Sequence, residues 1–391
     1  MPETSGKPPA IVGVATDVAG FVGVTERGPT APTLVTSWAE FQQQFGGFID
    51  QRPFATPYWR LPYAVRGFFE NGGTRLYVAR VLDAMTAAGA SDLVAVIGES
   101  PEKATRTGIA ALMDIPDISL MAVPDDLAAP AFADALIDRC ETTRDRIAVV
   151  DQATTAADLA IVAQHRDSAF AALYYPRLHV PAPHLTAGYA VAPPCGHVTG
   201  LLANRPVTAT AAGAAPEVQA GGLIADGNAS GAGPLDRTVS AGESDYLTPR
   251  GVNVIRNFRA AGRGVLVWGA RTTSSDPEWK YVNVRRLFIF LEQSIDKGTQ
   301  WAVFEPNGEP TWTRIRTAVS EFLHRLWRDG ALLGRTPKEA FFVRCDASTM
   351  TQNDIDNGRL VCLVGVAPVR PAEFVIFRIG QWTADASGGG T

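Results

Sequence analysis

The chain has 391 residues, 46% of them hydrophobic and 19% charged, with a formal net charge of −5. That length exceeds one small core and points to two domains or one elaborated one. The apolar fraction excludes a fully disordered chain, no apolar run reaches the ~18–20 residues of a membrane-spanning helix, and the charge is too mild to argue for nucleic acid. Met1 to Pro9 has no apolar core and does not read as a secretory signal. Cys140, Cys195, Cys345 and Cys362 are widely spaced and form no CxxC, which reads as free thiols in a reduced cytosolic setting. The charge is unevenly spread. Residues 1–250 carry a net −9 and residues 251–391 a net +4.

In chain order, residues 1–19 read as a loose arm with one short strand at Ile11–Ala15. Phe21–Thr25 is a strand ended by Gly28-Pro29. Ser37 and Glu40 have the spacing of a capping box, so a helix follows and stops at Gly46-Gly47. Tyr63–Glu70 reads as a helix stopped by Asn71-Gly72-Gly73, and 74–81 alternates as a strand. From 92 to 180 short strands (Leu93–Ile97, Ile118–Val123, Ile147–Val150, Ala169–Tyr175) alternate with Ala-rich helices over 130–141 and 155–165, the pattern of an α/β fold. Residues 203–244 nearly lack large apolar groups and read as an extended surface crossing. Gly264–Gly269 is a buried strand, and Asp276-Pro277 is expected to start a helix. Within it Val284, Leu287, Phe288, Leu291 and Ile295 share one face. Gln300–Glu305 is expected as a strand. A second amphipathic helix fills 311–329, with Trp312, Ile315, Val319, Phe322, Leu323 and Leu326 inward and Arg314, Glu321, Arg325 and Arg328 outward, and it ends at Gly330. Phe341–Cys345, Arg359–Ala367 and Glu373–Ile379 read as strands, and the last residues as a frayed tail.

Catalytic motifs are missing from the sequence. There is no GxxxxGK[ST], GxGxxG after a strand, HExxH or GxSxG; Gly227–Gly231 has its serine one position out of place. His179, His184, Cys195 and His197 are near in sequence, but a metal needs three or four convergent ligands. Asp354 and Asp356 resemble half of a calcium loop without its later glutamate, which favours turn chemistry. Trp268, Trp301, Trp312 and Trp327 read as core rather than a stacking platform. No catalytic, cofactor or metal site is expected. The basic face at Arg314, Arg325 and Arg328 is either a solvated surface or a dock for an acidic partner.

Four blocks resemble the contractile tail sheath family of phages, R-type pyocins and extracellular contractile injection systems. They are Phe21–Pro29 with Val35–Phe41 and Phe45–Gly47; Ala64–Arg80; Leu247–Ile255 with Trp268–Thr272 and Trp279–Arg286; and Phe304–Asn307 with Leu326–Gly334, Asp354–Arg359 and Val366–Phe374. They run in the family's order, and the match is almost continuous over the C-terminal 140 residues. The resemblance implies a two-domain α/β (α+β) tail-sheath fold. Residues 1–19 would be the N-terminal arm, 20–245 the variable outer domain, 246–380 the conserved inner α/β domain and 381–391 a flexible tail. It implies a non-enzymatic structural subunit without cofactors. Stacked hexameric rings would enclose an inner tube protein and contract to drive it through a target envelope. Partners would be other copies of the chain, the tube, and baseplate and terminator or cap proteins, with no direct nucleic-acid contact and no membrane insertion. Assembly would take place in the bacterial cytoplasm, within a phage tail or tail-like particle.

Strand exchange between subunits would use Ile11, Val12 and Val14 at one end and Phe374, Val375, Ile376, Phe377, Arg378 and Ile379 at the other. The tube contact would use Arg314, Arg325 and Arg328. The family's strand-forming segment ahead of Ile11 is missing, so the N-terminal linkage is expected to be short. A non-contracting baseplate or cap role for the sheath fold, and an enzyme in the middle region, stand as the alternatives.

Overall fold

The computed structural model describes residues 8–49, 58–83, 96–99, 102, 105–125, 131–152, 158–163, 165–205, 207, 218–226 and 231–371. Its elements are β1 (Val18–Thr25), β2 (Thr33–Val35), α1 (Trp38–Phe45), α2 (Leu61–Glu70), β3 (Arg75–Asp83), β4 (Leu120–Ala122), α3 (Ala131–Thr143), β5 (Ile147–Asp151), β6 (Ala171–Tyr175), β7 (Leu178–Pro181), β8 (Tyr189–Ala192), α4 (Cys195–Ala203), β9 (Val218–Gln219), β10 (Val252–Asn257), β11 (Val265–Trp268), α5 (Val282–Thr299), α6 (Glu309–Arg328), β12 (Phe341–Arg344) and β13 (Leu363–Val366). Shorter helical turns lie between them.

Nine strands form one sheet in the order β2-β3-β1-β4-β5-β6-β10-β11-β9. The run from β3 to β10 is parallel, with antiparallel strands at both sides. A parallel sheet is covered on both faces, so its strands read as unbroken apolar runs. All eight residues of β1 are buried. Ala19 and Phe21 face the helices α1, α2 and α4, while Val18, Val22 and Val24 face the layer that holds α3. In β5, Ile147 and Val149 face one layer and Ala148 and Val150 the other. The sheet takes strands from both sides of residue 245, since β10 and β11 complete it.

Helices α2 and α4 cross with their backbones almost touching. A Cβ on Gly196 would lie 2.3 Å from the Ala64 carbonyl oxygen, and one on Gly200 would lie 2.3 Å from that of Phe68. From the other helix, a Cβ on Gly67 would lie 2.3 Å from Nδ1 of His197. Glycine alone allows this approach.

A separate apolar cluster sits in the C-terminal part. It joins α5 and α6 to the β12–β13 ribbon through Leu287, Leu291, Ile315, Val319, Phe322 and Leu323. From the far end of the sequence Ile11 joins it, with Val14 packed against it.

Several expected elements form with small shifts, and others do not. Ser37 Oγ accepts from the Glu40 N–H at 3.2 Å, but the Glu40 carboxylate returns to Thr36 rather than Ser37. No strand forms at Ile11–Ala15. The Ile11 carbonyl and the Val14 N–H are met by side chains instead of a ladder. Asp276-Pro277 opens a turn, because Asp276 Oδ1 accepts from the Glu278 N–H at 2.8 Å and closes a local ring; the helix waits until Val282. Gln300–Ala302 tightens into a 3-10 turn at the end of α5 in place of a strand. Val96 and Ile97 are helical, while Leu93–Ala95 lie outside the described residues. The crossing at 203–244 contributes β9 and ends in a helix at Ala241–Leu247, capped reciprocally by Ser240 and Glu243.

Candidate assembly surface

The N-terminal segment is strapped across the chain's own C-terminal helices. Ile11 is buried, and a Cβ on Gly298 would lie 2.8 Å from its Cγ1, so the glycine makes the room for it. Arg325 Nη2 donates to the Ile11 carbonyl at 2.6 Å. The Val14 N–H donates to Ser294 Oγ at 3.0 Å, and Arg286 Nη2 donates to the Thr16 carbonyl at 3.0 Å. Asp17 pairs with Arg75 at 2.6 Å just before β1 begins. Of the three expected exchange residues in this segment, Ile11 and Val14 pack within the chain and only Val12 is exposed. Phe374 to Ile379 lie outside the described residues.

The three candidate tube contacts have different surroundings. Arg314 lies over the Trp301 ring at 4.3 Å and pairs with Glu305 at 3.6 Å. Arg325 holds the strap. Arg328 is exposed at the end of α6, with no ion pair or hydrogen bond among the described residues. Arg314 and Arg325 thus make contacts within the chain while lying on the outward side of α6. A long guanidinium stem folds back over nearby apolar surface, which outward helical phase alone does not reveal. Arg325 and Arg328 also complement the negative end of the α6 dipole.

A groove of about 910 Å³ runs between α5 and β13, lined by Leu291, Ile295, Phe304, Leu360, Cys362 and Val364 among others. Phe304 at its rim is fully exposed and holds φ at 71°, a left-handed conformation costly for an aromatic residue. Among the described residues β13 pairs only with β12, leaving its groove-side edge open. The ribbon is apolar on its outer face too. Phe342 is 57% exposed and its ring lies against Gly365, and Leu363 is 46% exposed. An unpaired edge with apolar surroundings is a template for another strand.

Polar chemistry elsewhere has structural tasks. Asp125 accepts from the Trp59 and Arg60 N–H groups at 3.2 and 3.1 Å, at the start of α2. Burial pushes its carboxyl up to about 6 against the pull of Arg60. Asp151 closes β5 and accepts from the Cys195 N–H at 2.8 Å, at the start of α4. Burial pushes it up to about 7. Both carboxylates therefore cap helix N-termini. The cavity beside Asp125 holds only about 10 Å³, too little for a substrate. His179 Nδ1 bonds the Gly233 carbonyl at 2.7 Å, His184 Nε2 meets the Tyr63 hydroxyl at 3.2 Å, and His197 is buried with neither ring nitrogen hydrogen-bonded among the described residues. No group of three metal-ligating side chains forms among the described residues. Asp354 caps a turn with Thr351 and pairs with Arg359 at 2.9 Å, which is turn chemistry as the sequence suggests.

The sequence reading missed Ser294, Gly298 and Arg286 as partners of the strap. Gly298, a glycine inside an apolar helical pattern, was the one available signal of a close approach.

The phage tail sheath C-terminal domain model matches residues 274–381. The tail sheath protein of Vibrio phage KVP40 is 27% identical over 143 residues, 36% of this chain and 20% of that protein, so the chain spans about a fifth of this curated relative. Solved structures match nearly end to end. A chain of the anti-feeding prophage helical sheath in the contracted state is 30% identical, with a TM-score of 0.74 and coverage of 97% of this chain and 98% of that one. A chain of the PVC sheath complex of an extracellular contractile injection system, also contracted, is 27% identical with a TM-score of 0.76, covering 99% and 96%. A chain of the anti-feeding prophage baseplate is 29% identical with a TM-score of 0.72, covering 98% of both. With 30% identity sustained over nearly the whole of both chains, the protein belongs to the contractile tail sheath family.

Proposed function

We propose that this chain is a structural subunit of a contractile sheath, polymerising as stacked hexameric rings around an inner tube and shortening to drive that tube through a target envelope. The observation that carries the reading is the end-to-end likeness to the anti-feeding prophage sheath in its contracted state. The open edge of β13, the groove and the exposed Phe304 and Phe342 supply the surface on which a neighbouring subunit's strand would pair, with Phe374 to Ile379 as the segment offered. The cluster of α5, α6, β12 and β13 would face the tube as the inner region, and Arg328 is the cation left for an acidic tube surface. The nine-stranded sheet would then form the body of the subunit, with the outer region carried on it. Subunits linked by shared strands slide without separating, and a better-packed end state supplies the energy, with no nucleotide required. Assembly in the bacterial cytoplasm belongs to the same reading.

The likeness to a baseplate chain favours one second reading, a copy of the sheath fold fixed at the end of the particle. Co-expression with the tube protein and negative-stain microscopy tests both. Long striated sheaths support the first, and single rings at one end of a tube support the second. A strictly monomeric chain with and without tube protein refutes both. Truncation from Glu373 onward is expected to stop polymerisation while the monomer still folds.

A further inference from the structure

The register of the β12–β13 ribbon places two cysteines opposite each other. Phe341 pairs with Val366, Phe342 with Gly365, Val343 with Val364 and Arg344 with Leu363. Continued one step past the last paired residues, this register brings Cys345 opposite Cys362. Their side chains point to the same inner face as Phe341, Val343 and Val366, because that face takes every second residue, and all of these belong to the C-terminal cluster. Thr349 Oγ donates to the Val361 carbonyl at 2.8 Å, which holds the two chains together just past this pair. Both cysteines are free and belong to the same apolar cluster. Facing residues of an antiparallel pair have Cα atoms roughly 4.5–5.5 Å apart, within the ~4.4–6.8 Å that a disulfide spans.

We infer that Cys345 and Cys362 form a redox-sensitive pair that closes to a cross-strand disulfide when the protein meets a small-molecule disulfide such as oxidised glutathione. Access differs between the two sulfurs. Cys345 is fully buried, while Cys362 is partly exposed and lines the groove. Cys362 therefore reacts first. Its thiolate attacks one sulfur of the glutathione disulfide, the S–S bond breaks, and one glutathione thiolate leaves. The Cys345 thiolate then attacks the sulfur of Cys362 and expels the second glutathione thiolate. Two protein thiols lose two electrons to the glutathione disulfide, and their protons go to the two departing thiolates. Access, not acidity, makes Cys362 the entry point: proximity to Cys362 and to Arg316 lowers the deprotonation of Cys345, and proximity to Cys345 together with burial raises that of Cys362, so the more available thiolate is the resolving one. Cys140 and Cys195 are buried in other clusters and have no cysteine opposite. The closed bond would staple the end of the ribbon that carries the open edge.

The full-length protein, folded and reduced, is exposed to oxidised glutathione, quenched by acid, alkylated after denaturation and digested with trypsin, which cuts at Arg359 between the two cysteines. The expected result is a reducible cross-link between the peptides holding Cys345 and Cys362, with Cys140 and Cys195 alkylated, and a higher Tm for the oxidised protein. C345S is expected to stop at a glutathione adduct on Cys362. C362S is expected to give neither cross-link nor adduct while folded. If C345S fails to fold, the wild-type peptide map decides alone. Free thiols at both positions after oxidation, or a cross-link that involves Cys140 or Cys195 equally often, overturns the inference.

Discussion

Arg325 and Ile11 are 314 positions apart, yet the guanidinium of one donates to the backbone carbonyl of the other at 2.6 Å. The bond secures a side chain that is itself fully packed between α5 and α6. Truncating Ile11 to Ala is expected to cost about 2–4 kcal/mol, because a buried aliphatic is lost and the helices cannot fully close on the space. Arg325→Ala costs about 1 kcal/mol, since the donor is partly exposed. The double variant should cost less than the sum, because both act on one strap. Urea titration of the four proteins measures this, and strict additivity would count against the strap as a unit.

Gly298→Ala separates two opposing effects. Within a helix the change ordinarily stabilises by about 0.5–1 kcal/mol. Here the new methyl would sit 2.8 Å from the branched side chain of Ile11, and overpacking a core costs about 1–3 kcal/mol. A net loss of stability is expected, and I11A in the same chain should restore the ordinary helix gain. A stabilised single variant would show that Ile11 is not seated there.

His197 gives a pH dependence whose sign can be worked out. Burial, aided by Arg66, pushes its imidazole down to about 4. The unfolded chain then takes up this proton near pH 6.5 and the folded chain does not, so this contribution to stability falls as pH drops from about 6.5 to 4. At about 1.4 kcal/mol per unit, some 2–3 kcal/mol is lost across that window. Asp125 and Asp151 act the other way. Their carboxyls are raised to about 6 and about 7, so the folded chain takes up their protons first and gains stability as pH falls from 7 toward 4. Replacing His197 by Leu is expected to remove the acid-labile part only. The variant should gain on the wild type by about 2 kcal/mol between pH 6.5 and 4.5 in denaturant titrations. Parallel pH profiles for the two proteins would exclude the assignment.

Arg328→Glu tests the tube contact without touching the strap. Arg328 is exposed, so the expected stability loss is within about 0.5 kcal/mol, arising at the helix end. Co-sedimentation with tube protein should weaken and lose part of its salt dependence. The same binding and salt response in both proteins would remove Arg328 from the interface.

Phe304→Ser addresses the groove. The ring is solvent-exposed and the backbone there is left-handed, so the folded monomer gains little from it. Stability is expected to stay within about 0.5 kcal/mol, while sheath length by electron microscopy shortens. Normal sheaths from the variant would leave the exposed ring without an assembly role.

The elements legible in the sequence were those whose signals are local. The stop at Gly46, with φ at 93°, and the end of α6 at Gly330, with φ at 82°, could be placed because a left-handed residue past a helix demands glycine. The α6 stripe from Trp312 to Leu326 could be placed because burial on one side imposes its period. The candidate site was legible only in part. Ile11 alternates like a strand residue, yet Ser294 and Arg325 satisfy its neighbourhood from the far end of the chain, and no local pattern encodes such a contact. Helical phase puts Arg314 and Arg325 outward, which is correct for their Cα atoms and silent about where their guanidinium groups reach. The short strands β7 and β8 and the helix α4 went unread because their apolar residues sit among prolines and glycines whose roles are tertiary. Gly196 and Gly200, in particular, serve the crossing with α2 rather than a turn.

The strap has a mechanical consequence. Because residues 11 to 17 run directly from the C-terminal helices into β1, a pull applied to the N-terminal segment is borne first by α5 and α6, through Ile11, Ser294 and Arg325, and reaches the sheet only afterwards. The last described residues touch α5 as well, since Asn283 Nδ2 donates to the Val369 carbonyl at 2.9 Å, so load arriving through Val369 meets the same helix.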